Sequence, residues 1–279
     1  LLRNVGILYH PKRASAETLA KDVLQALEDL KVLGWLCSAW EEEKAKAQIE
    51  GTDLIVSVGG DGTILRATRV VVPWPIPILG INLGRLGFMT ELEPREALQK
   101  LPAFVAGEGW IEERAMLKAV LQPVGGGEKG PWNALNDVVV SRGASSRLIY
   151  IEAKVNSEPL TTYKADGIIL ATATGSTGYS LSAGGPILHP EAKEILLTPI
   201  MAHLTMSTSL VLPPGAVVEL RVDTGPQAML SIDGQIDLIL DSGDSVVVER
   251  SPYTTRFLRA QPLNYFYNTL TQRLSNKVQ

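Results

Sequence analysis

A chain of 279 residues with 45% apolar side chains holds enough material for one large domain or two medium ones with a sizeable core. Its formal net charge of −4 leaves no electrostatic footprint for nucleic acid or for an anionic membrane surface. The single cysteine, Cys37, excludes an internal disulfide framework and a thiolate zinc site, and no run approaches the roughly 20 apolar residues of a spanning helix. No signal-peptide pattern opens the sequence, so a reducing, cytoplasmic location is expected, with Leu1 leaving an earlier start open.

Val5-Gly6-Ile7-Leu8-Tyr9 reads as a short strand, closed by His10-Pro11-Lys12. A helix follows, with Ala16, Leu19, Ala20, Val23, Leu24, Leu27 and Leu30 on one face of a 3.6-residue period and Ser15 as its expected N-cap. Trp35 to Trp40 reads as a second strand, with Cys37 a small buried filler, and Leu54 to Val58 as a third. Ile76 to Asn82 reads as a fourth, running into Leu83-Gly84-Arg85-Leu86-Gly87-Phe88. Strands alternating with helices predict a parallel α/β layer, whose ligands bind beyond the carboxyl ends of the strands, where Asp61 and Asn82 lie.

Past Trp110 the period changes to two. Ile149, Ile151, Ala153 and Val155 alternate with Tyr150, Glu152 and Lys154, and Val218, Leu220 and Val222 with Glu219, Arg221 and Asp223, as in half-buried antiparallel strands. Turn signals recur at Gly125-Gly126-Gly127, Pro213-Pro214-Gly215, Asp233-Gly234 and Ser242-Gly243-Asp244. Phe266, Leu270 and Leu274 mark a helix over Asn264 to Leu274. The fold expected is an α/β amino-terminal domain with a parallel sheet (residues 1–108, joined by 258–279) plus an all-β carboxy-terminal domain (109–257). The final helix returns to the first domain.

Two stretches carry the chemistry. Ile55 to Val58 runs into Gly59-Gly60-Asp61-Gly62-Thr63, after which a helix opens. Helix N-termini present free N–H groups to phosphate, and glycines admit a ligand to the backbone. A carboxylate repels phosphate unless it serves a cation or a proton, so Asp61 points to phosphoryl transfer; the bland alternative is a helix cap. The second stretch runs from Asp166 to Pro186, where a buried strand enters Thr174, Gly175, Ser176, Thr177, Gly178, Tyr179, Ser180, Leu181 and Ser182. Its hydroxyls suit hydrogen bonding to a ligand and Tyr179 suits stacking on a base, against a Ser/Gly-rich surface loop as the plain reading. Asn136-Asp137 at a strand start, and Asp233-Gly234-Gln235 between apolar residues, read by default as turns. No G-x-x-x-x-G-K-[ST] occurs, the glycines at 80, 84 and 87 have the wrong spacing for a Rossmann fingerprint, and His10, His189 and His203 are too far apart in sequence for a metal cluster. Gly175-Ser176-Thr177-Gly178 is no nucleophile elbow and is not expected at a strand-to-helix turn of that type.

In order and approximate spacing, Gly59 to Thr63, Asn82 to Phe88, Asn136-Asp137 and Thr172 to Pro186 resemble the NAD kinases across nearly the whole chain. The first motif alone is shared with diacylglycerol-type lipid kinases. The resemblance implies transfer of the ATP γ-phosphoryl group, or one from polyphosphate, to the 2′-hydroxyl of the adenosine ribose of NAD. By it Asp61 is the general base, and Gly59, Gly60, Gly62 and Thr63 lie near the triphosphate. Asp61, Gly62, Arg66, Asn136, Asp137, Arg147, Lys164, Asp166, Thr174, Thr177, Gly178, Tyr179, Ser180, Leu181, Ser182 and Gln235 are the implied NAD contacts. No protein metal site is implied, only a divalent cation, Mg²⁺, arriving with ATP, and the assembly implied is a homodimer or homotetramer. Ala173 and Gly178 stand where the family has Pro and Ala, and Met201-Ala202-His203 where it has C-P-H. A sphingoid or diacylglycerol kinase and a catalytically silent dinucleotide-binding protein are the rival readings.

Overall fold

A computed structural model describes residues 2–84, 87–144, 147–223, 227–262 and 265–275. Arg85 and Leu86 of the second glycine-containing stretch, and Asn264 at the expected start of the final helix, lie outside the described residues. Two units emerge: Leu1–Glu113 with Thr255–Gln279, and Arg114–Thr254.

The first unit opens with β1 (Asn4–Tyr9), α1 (Ala14–Asp29), β2 (Leu33–Ser38), α2 (Glu42–Lys46), β3 (Leu54–Gly59), α3 (Asp61–Val71), β4 (Ile78–Asn82) and α4 (Pro94–Val105). Its sheet runs in the order β2-β1-β3-β4, every pair parallel. Every residue of β3 and β4 is buried, as strands covered on both faces must be. The register sets Tyr9 opposite Val58 and Gly59 opposite Asn82, so three strand ends meet along one edge.

Two local expectations need correcting. Ser15 does not cap α1: the helix begins at Ala14 after Arg13, whose carbonyl accepts the N–H of Ala16 at 2.9 Å, and no side chain caps it. The second strand is Leu33–Ser38 rather than 35–40, because pairing with β1 runs from Asn4↔Leu33 to Tyr9↔Ser38 and the chain then turns. Cys37 is buried, as a filler should be. The face of α1 that is buried comprises Ala16, Leu19, Ala20, Val23 and Leu27, while Leu30 is exposed past the helix end.

Among its described residues the second unit has β-strands and one short helical passage. It contains most of β5 (Trp110–Gln122), then β6 (Lys129–Ala134), β7 (Asp137–Arg142), β8 (Ile149–Val155), β9 (Glu158–Ala165) and β10 (Gly167–Ala171). A 3-10 turn (Gly175–Thr177) and α5 (Tyr179–Ser182) lead to β11 (Ile195–Ile200), β12 (Leu210–Leu212), β13 (Val218–Asp223), β14 (Ala228–Ile232), β15 (Ile236–Leu240) and β16 (Ser245–Arg259). One antiparallel sheet has the order β12-β11-β10-β7-β14-β15. β13 pairs antiparallel with β16 and β8, and β8 with β9. The period-two reading holds at β8, where Ile149, Ile151 and Ala153 are buried and Tyr150 is exposed, and at β13, where Val218, Leu220 and Val222 are buried. The last helix, α6 (Tyr265–Ser275), and the end of β16 belong to the first unit, with Phe257 parallel to Ile78 of β4.

Candidate active site

Within the first unit, Asp61 is the first residue of α3 and Gly60 its N-cap, with no side-chain cap. The carboxylate is committed elsewhere. Oδ2 accepts the Phe88 N–H at 3.0 Å and Oδ1 the Met89 N–H at 3.1 Å, 27 and 28 residues away. The approach is possible because residue 87 is glycine: a Cβ there would collide with Asp61 Oδ1. The helix-cap reading is thereby replaced by a half-buried carboxylate clamped by two backbone donors.

The glycines around it have different causes. A Cβ on Gly59 would collide with Thr63 Oγ1, so that glycine serves helix packing. At Gly60 and Gly62 a Cβ would meet nothing within 4 Å, which leaves bare backbone open to an approaching group. Thr63 is buried, and its hydroxyl has no hydrogen-bond partner among the described residues.

Basic groups gather at the same strand ends. The Arg66 guanidinium lies 4.3 Å over the Trp40 ring, and the His10 ring is 4.5 Å from Trp40. The Lys12 N–H donates to His10 Nδ1 at 3.2 Å, and Arg13 Nη1 is 3.8 Å from where a Cβ of Gly84 would stand. Burial first, then Arg13, with Lys12 and Arg66, holds the His10 imidazole below its usual pKa. Sequence reading passed over Lys12 and Arg13; the signal was two cations directly after the first strand. Asn82 shapes the neighbouring loop, its amide bonded to Gly84 in both directions at 3.2 Å.

Within the second unit, Asn136, Asp137, Ser141, Tyr179, Asp233 and Gly234 line a cavity of about 370 Å³. Asp233, read as a turn residue, ties this site together. Its Oδ2 accepts the Leu135 N–H at 2.8 Å, and its Oδ1 those of Asn136 at 2.7 Å and Asp137 at 3.0 Å. Asp233 keeps a left-handed φ of 51° in the β14–β15 hairpin. Asp137 is buried, and burial, reinforced by the Asp233 charge, pushes its pKa up to about 7. Asn136 Oδ1 is a buried acceptor with no partner among the described residues, an arrangement that costs free energy until a donor arrives.

The hydroxyl-rich stretch is mostly engaged with itself. Thr172 Oγ1 donates to the Leu135 carbonyl at 2.6 Å and accepts the Gly175 N–H at 3.1 Å. Ser176 Oγ donates to the Ala173 carbonyl at 2.6 Å and accepts the Leu188 N–H at 3.0 Å. Thr177 Oγ1 donates to the Thr174 carbonyl, Arg114 reaches Thr174 Oγ1 at 3.4 Å, and Ser180 Oγ shares a 3.0 Å bond with Thr198. These side chains build the loop, leaving Tyr179 and Ser182 exposed and Gly178 and Leu181 half-buried. The expected strand, β10, does precede the segment, which then enters helical turns; Ser176 offers no nucleophile, because its hydroxyl is fully buried and bonded twice. A Cβ on Gly175 would strike the Asn136 carbonyl, so glycine there lets the turn close on the cavity wall. At Gly178, where the family has Ala, a Cβ would lie 3.2 Å from the Gly175 carbonyl, a tight contact.

Other expected contacts in this unit are also not among the residues that line the cavity. Asp166 accepts from Arg142 Nε at 2.6 Å, Lys164 Nζ lies 5.7 Å over the Tyr150 ring, Arg147 is exposed, and Gln235 bonds through its N–H to the Ile232 carbonyl. Among the described residues no helix is long and apolar enough to cross a membrane, and no group of three His, Cys, Asp or Glu side chains is placed to hold a metal ion.

Residues 5–109 match the ATP-NAD kinase N-terminal domain and residues 135–260 the ATP-NAD kinase C-terminal domain. The NAD kinase of Dehalococcoides mccartyi is 45% identical over 274 residues, covering 98% of this chain and 96% of its own. That of Chloroflexus aurantiacus is 40% identical, covering 98% and 99%. Among solved structures, yeast NADH kinase complexed with NADH superposes with a TM-score of 0.88 at 26% identity, over 100% of this chain and 89% of that one. An NAD kinase from Archaeoglobus fulgidus in complex with ATP gives 0.78 at 26% identity, over 98% of both chains. With both domains of one family matched in order and relatives similar along nearly its full length, the chain belongs to the NAD kinase family.

Proposed function

We propose that this chain phosphorylates NAD at the 2′-hydroxyl of its adenosine ribose, with ATP as donor, to give NADP. The observation that carries the mechanism is Asp61, a carboxylate held by two N–H groups beside the open backbone of Gly60 and Gly62. The 2′-oxygen attacks the γ-phosphorus, the bond from that phosphorus to the β,γ-bridging oxygen breaks, and ADP leaves. Asp61 takes the ribose proton; the two backbone bonds leave lone pairs on both of its oxygens for that task. Little covalent help is needed, because alignment and charge neutralisation dominate phosphoryl transfer.

The basic edge supplied by Lys12, Arg13 and Arg66 supports placing the donor's phosphates there. A divalent cation, Mg²⁺ by class, neutralises the phosphates when bound. The lone carboxylate of Asp61 suits a cation carried by ATP oxygens and water better than a protein cage. The cavity of the second unit supports dinucleotide binding: Asn136 Oδ1 is an acceptor awaiting a donor, Asp137 faces the ribose and nicotinamide side, and Tyr179 offers a ring to the base. We assign Thr174, Thr177 and Ser180 to the frame of that wall, and Gly178, Leu181, Ser182 and Gln235 to its rim. Lys164, Asp166 and Arg147 are assigned to the outer reach of the dinucleotide. The exposed apolar side chains of Met201, Leu204 and Val211 support a homo-oligomer, and the buried Cys37 thiol supports a reducing, cytoplasmic setting.

The test is incubation of the purified protein with Mg²⁺, ATP and NAD, read by an NADP-specific dehydrogenase. NADP accumulation in step with ADP is expected. NAD binding without ATP consumption would return the chain to the silent dinucleotide binders, and turnover of a lipid alcohol in place of NAD to the lipid kinases.

A further inference from the structure

Asp61 is held by the N–H groups of Phe88 and Met89, and the carbonyls of the same two residues are held in turn. Arg273 Nη1 of α6 donates to the Phe88 carbonyl at 3.1 Å, and Arg259 Nη1 at the end of β16 donates to the Met89 carbonyl at 2.9 Å. The Phe88 carbonyl and the Met89 N–H belong to one peptide group, so a single amide plane stands between the Arg273 guanidinium and Asp61 Oδ1. A cation on the carbonyl draws electron density from the amide and strengthens its N–H as a donor.

We propose that Arg273 is a positioning residue for Asp61, acting through the Phe88–Met89 peptide, with Arg259 fixing the next carbonyl. This rests on the role given to Asp61 above. Both arginines are buried, at 5% and 6% exposure, where an unneeded guanidinium is costly. Arg259 has its own carboxylates, Glu112 at 2.6 Å and Glu91 at 3.1 Å. Arg273 makes no ion pair among the described residues and its Nε has no partner there; Tyr265, which also hydrogen-bonds it, and then Asp61 favour its charge against burial and the nearby Arg259. Phe88 and Tyr265 flank it, with ring centroids 5.7 Å and 5.4 Å from Cζ. A helix anchor would need only the aromatic packing. A cation aimed at one carbonyl, with a carboxylate across the same peptide, serves alignment.

A double-mutant cycle tests this. Arg273→Met is expected to lower kcat on the order of 10²-fold, as small misplacements of a reacting group do, with KM for NAD and for ATP within about twofold of wild type. Arg273→Lys should recover part of the loss. In an Asp61→Asn background the Arg273→Met change should cost less than about twofold, because its target is already gone. An unchanged kcat, or the same factor in both backgrounds, would overturn the proposal and leave Arg273 a structural residue. Should Arg273→Met yield no folded protein by circular dichroism and NAD binding, the cycle run with Arg273→Lys decides: non-additive losses support the proposal, additive losses overturn it. Full turnover by Asp61→Asn alone would overturn the function of Asp61 together with this inference, whereas additive losses over an impaired Asp61→Asn strike only Arg273.

Discussion

A carboxylate that accepts two backbone N–H bonds is fixed in orientation, and replacing it separates chemistry from folding. Asp61→Asn turns one oxygen into an NH₂ group facing an N–H, a clash of donors costing roughly 1–3 kcal/mol. The loss of turnover should be far larger, on the order of 10²–10⁴-fold, because the proton acceptor is gone. Steady-state NADP formation beside thermal unfolding checks both. Asp137 makes a different prediction. Its pKa is raised from the ordinary 3.8 to about 7 in the folded protein, so the folded state binds the proton more tightly than the unfolded chain. That contribution is fully present below about pH 4 and is lost as pH rises through about 7. Asp137→Asn should flatten the fall of Tm between pH 5 and 8, and an unchanged slope would discount the buried Asp137–Asp233 pair. At this scale Asp61 was legible as a candidate, since a carboxylate beside a phosphate-binding turn calls for a proton or a cation, although a helix cap was an equally local reading. Asp233 was not: its three bonds reach 96 to 98 residues back, and no neighbouring residue advertises them.

Among the elements, the turns rather than the strands carry specificity. Gly87 is dictated by Asp61, so Gly87→Ala should displace the carboxylate and lower kcat on the order of 10²-fold with little change in KM for NAD. Wild-type kcat in that variant would show the clamp to be dispensable. The loop from His10 to Arg13 gives the converse signature. Lys12 and Arg13 are exposed cations, each contributing at most about 1 kcal/mol. Replacing both with Ala should raise KM for ATP several-fold, more at low salt than at high, and leave KM for NAD unchanged. The parallel layer was readable because β3 and β4 are short apolar runs broken only by Ser57 and the terminal Asn82, and the antiparallel one because β8 and β13 alternate. The hydroxyls of residues 172–180 misled in part. Composition cannot distinguish a hydroxyl awaiting a ligand from one that, like Ser176, holds its own loop.

For the molecule as a whole, the network that closes the first unit is ionic and buried. Glu91 accepts Arg259 and the N–H groups of Ala260 and Gln261, the last two at 2.8 Å. Removing it with Glu91→Ala leaves the buried Arg259 with Glu112 alone and the Ala260 and Gln261 N–H groups without their acceptor, a loss of about 3–5 kcal/mol. For a protein of this size that lowers Tm by roughly 10 °C, and calorimetry measures it directly. Sequence periodicity announced the returning helix through Phe266 and Leu270, yet said nothing of Arg259 or Arg273, because charged residues on such a segment read as solvated. The return of residues 255–275 to the first unit has a consequence in time. A ribosome makes Asp61 early, then all of the second unit, and only afterwards the strand end and helix whose arginines hold the peptides around that carboxylate. The inserted unit has its residues complete while its host is still waiting, reversing the usual amino-terminal-first order of assembly. If Asp61 and Arg273 act as proposed, a chain released before α6 would have its base in place and its alignment missing, so that full phosphoryl transfer would await the making of that helix.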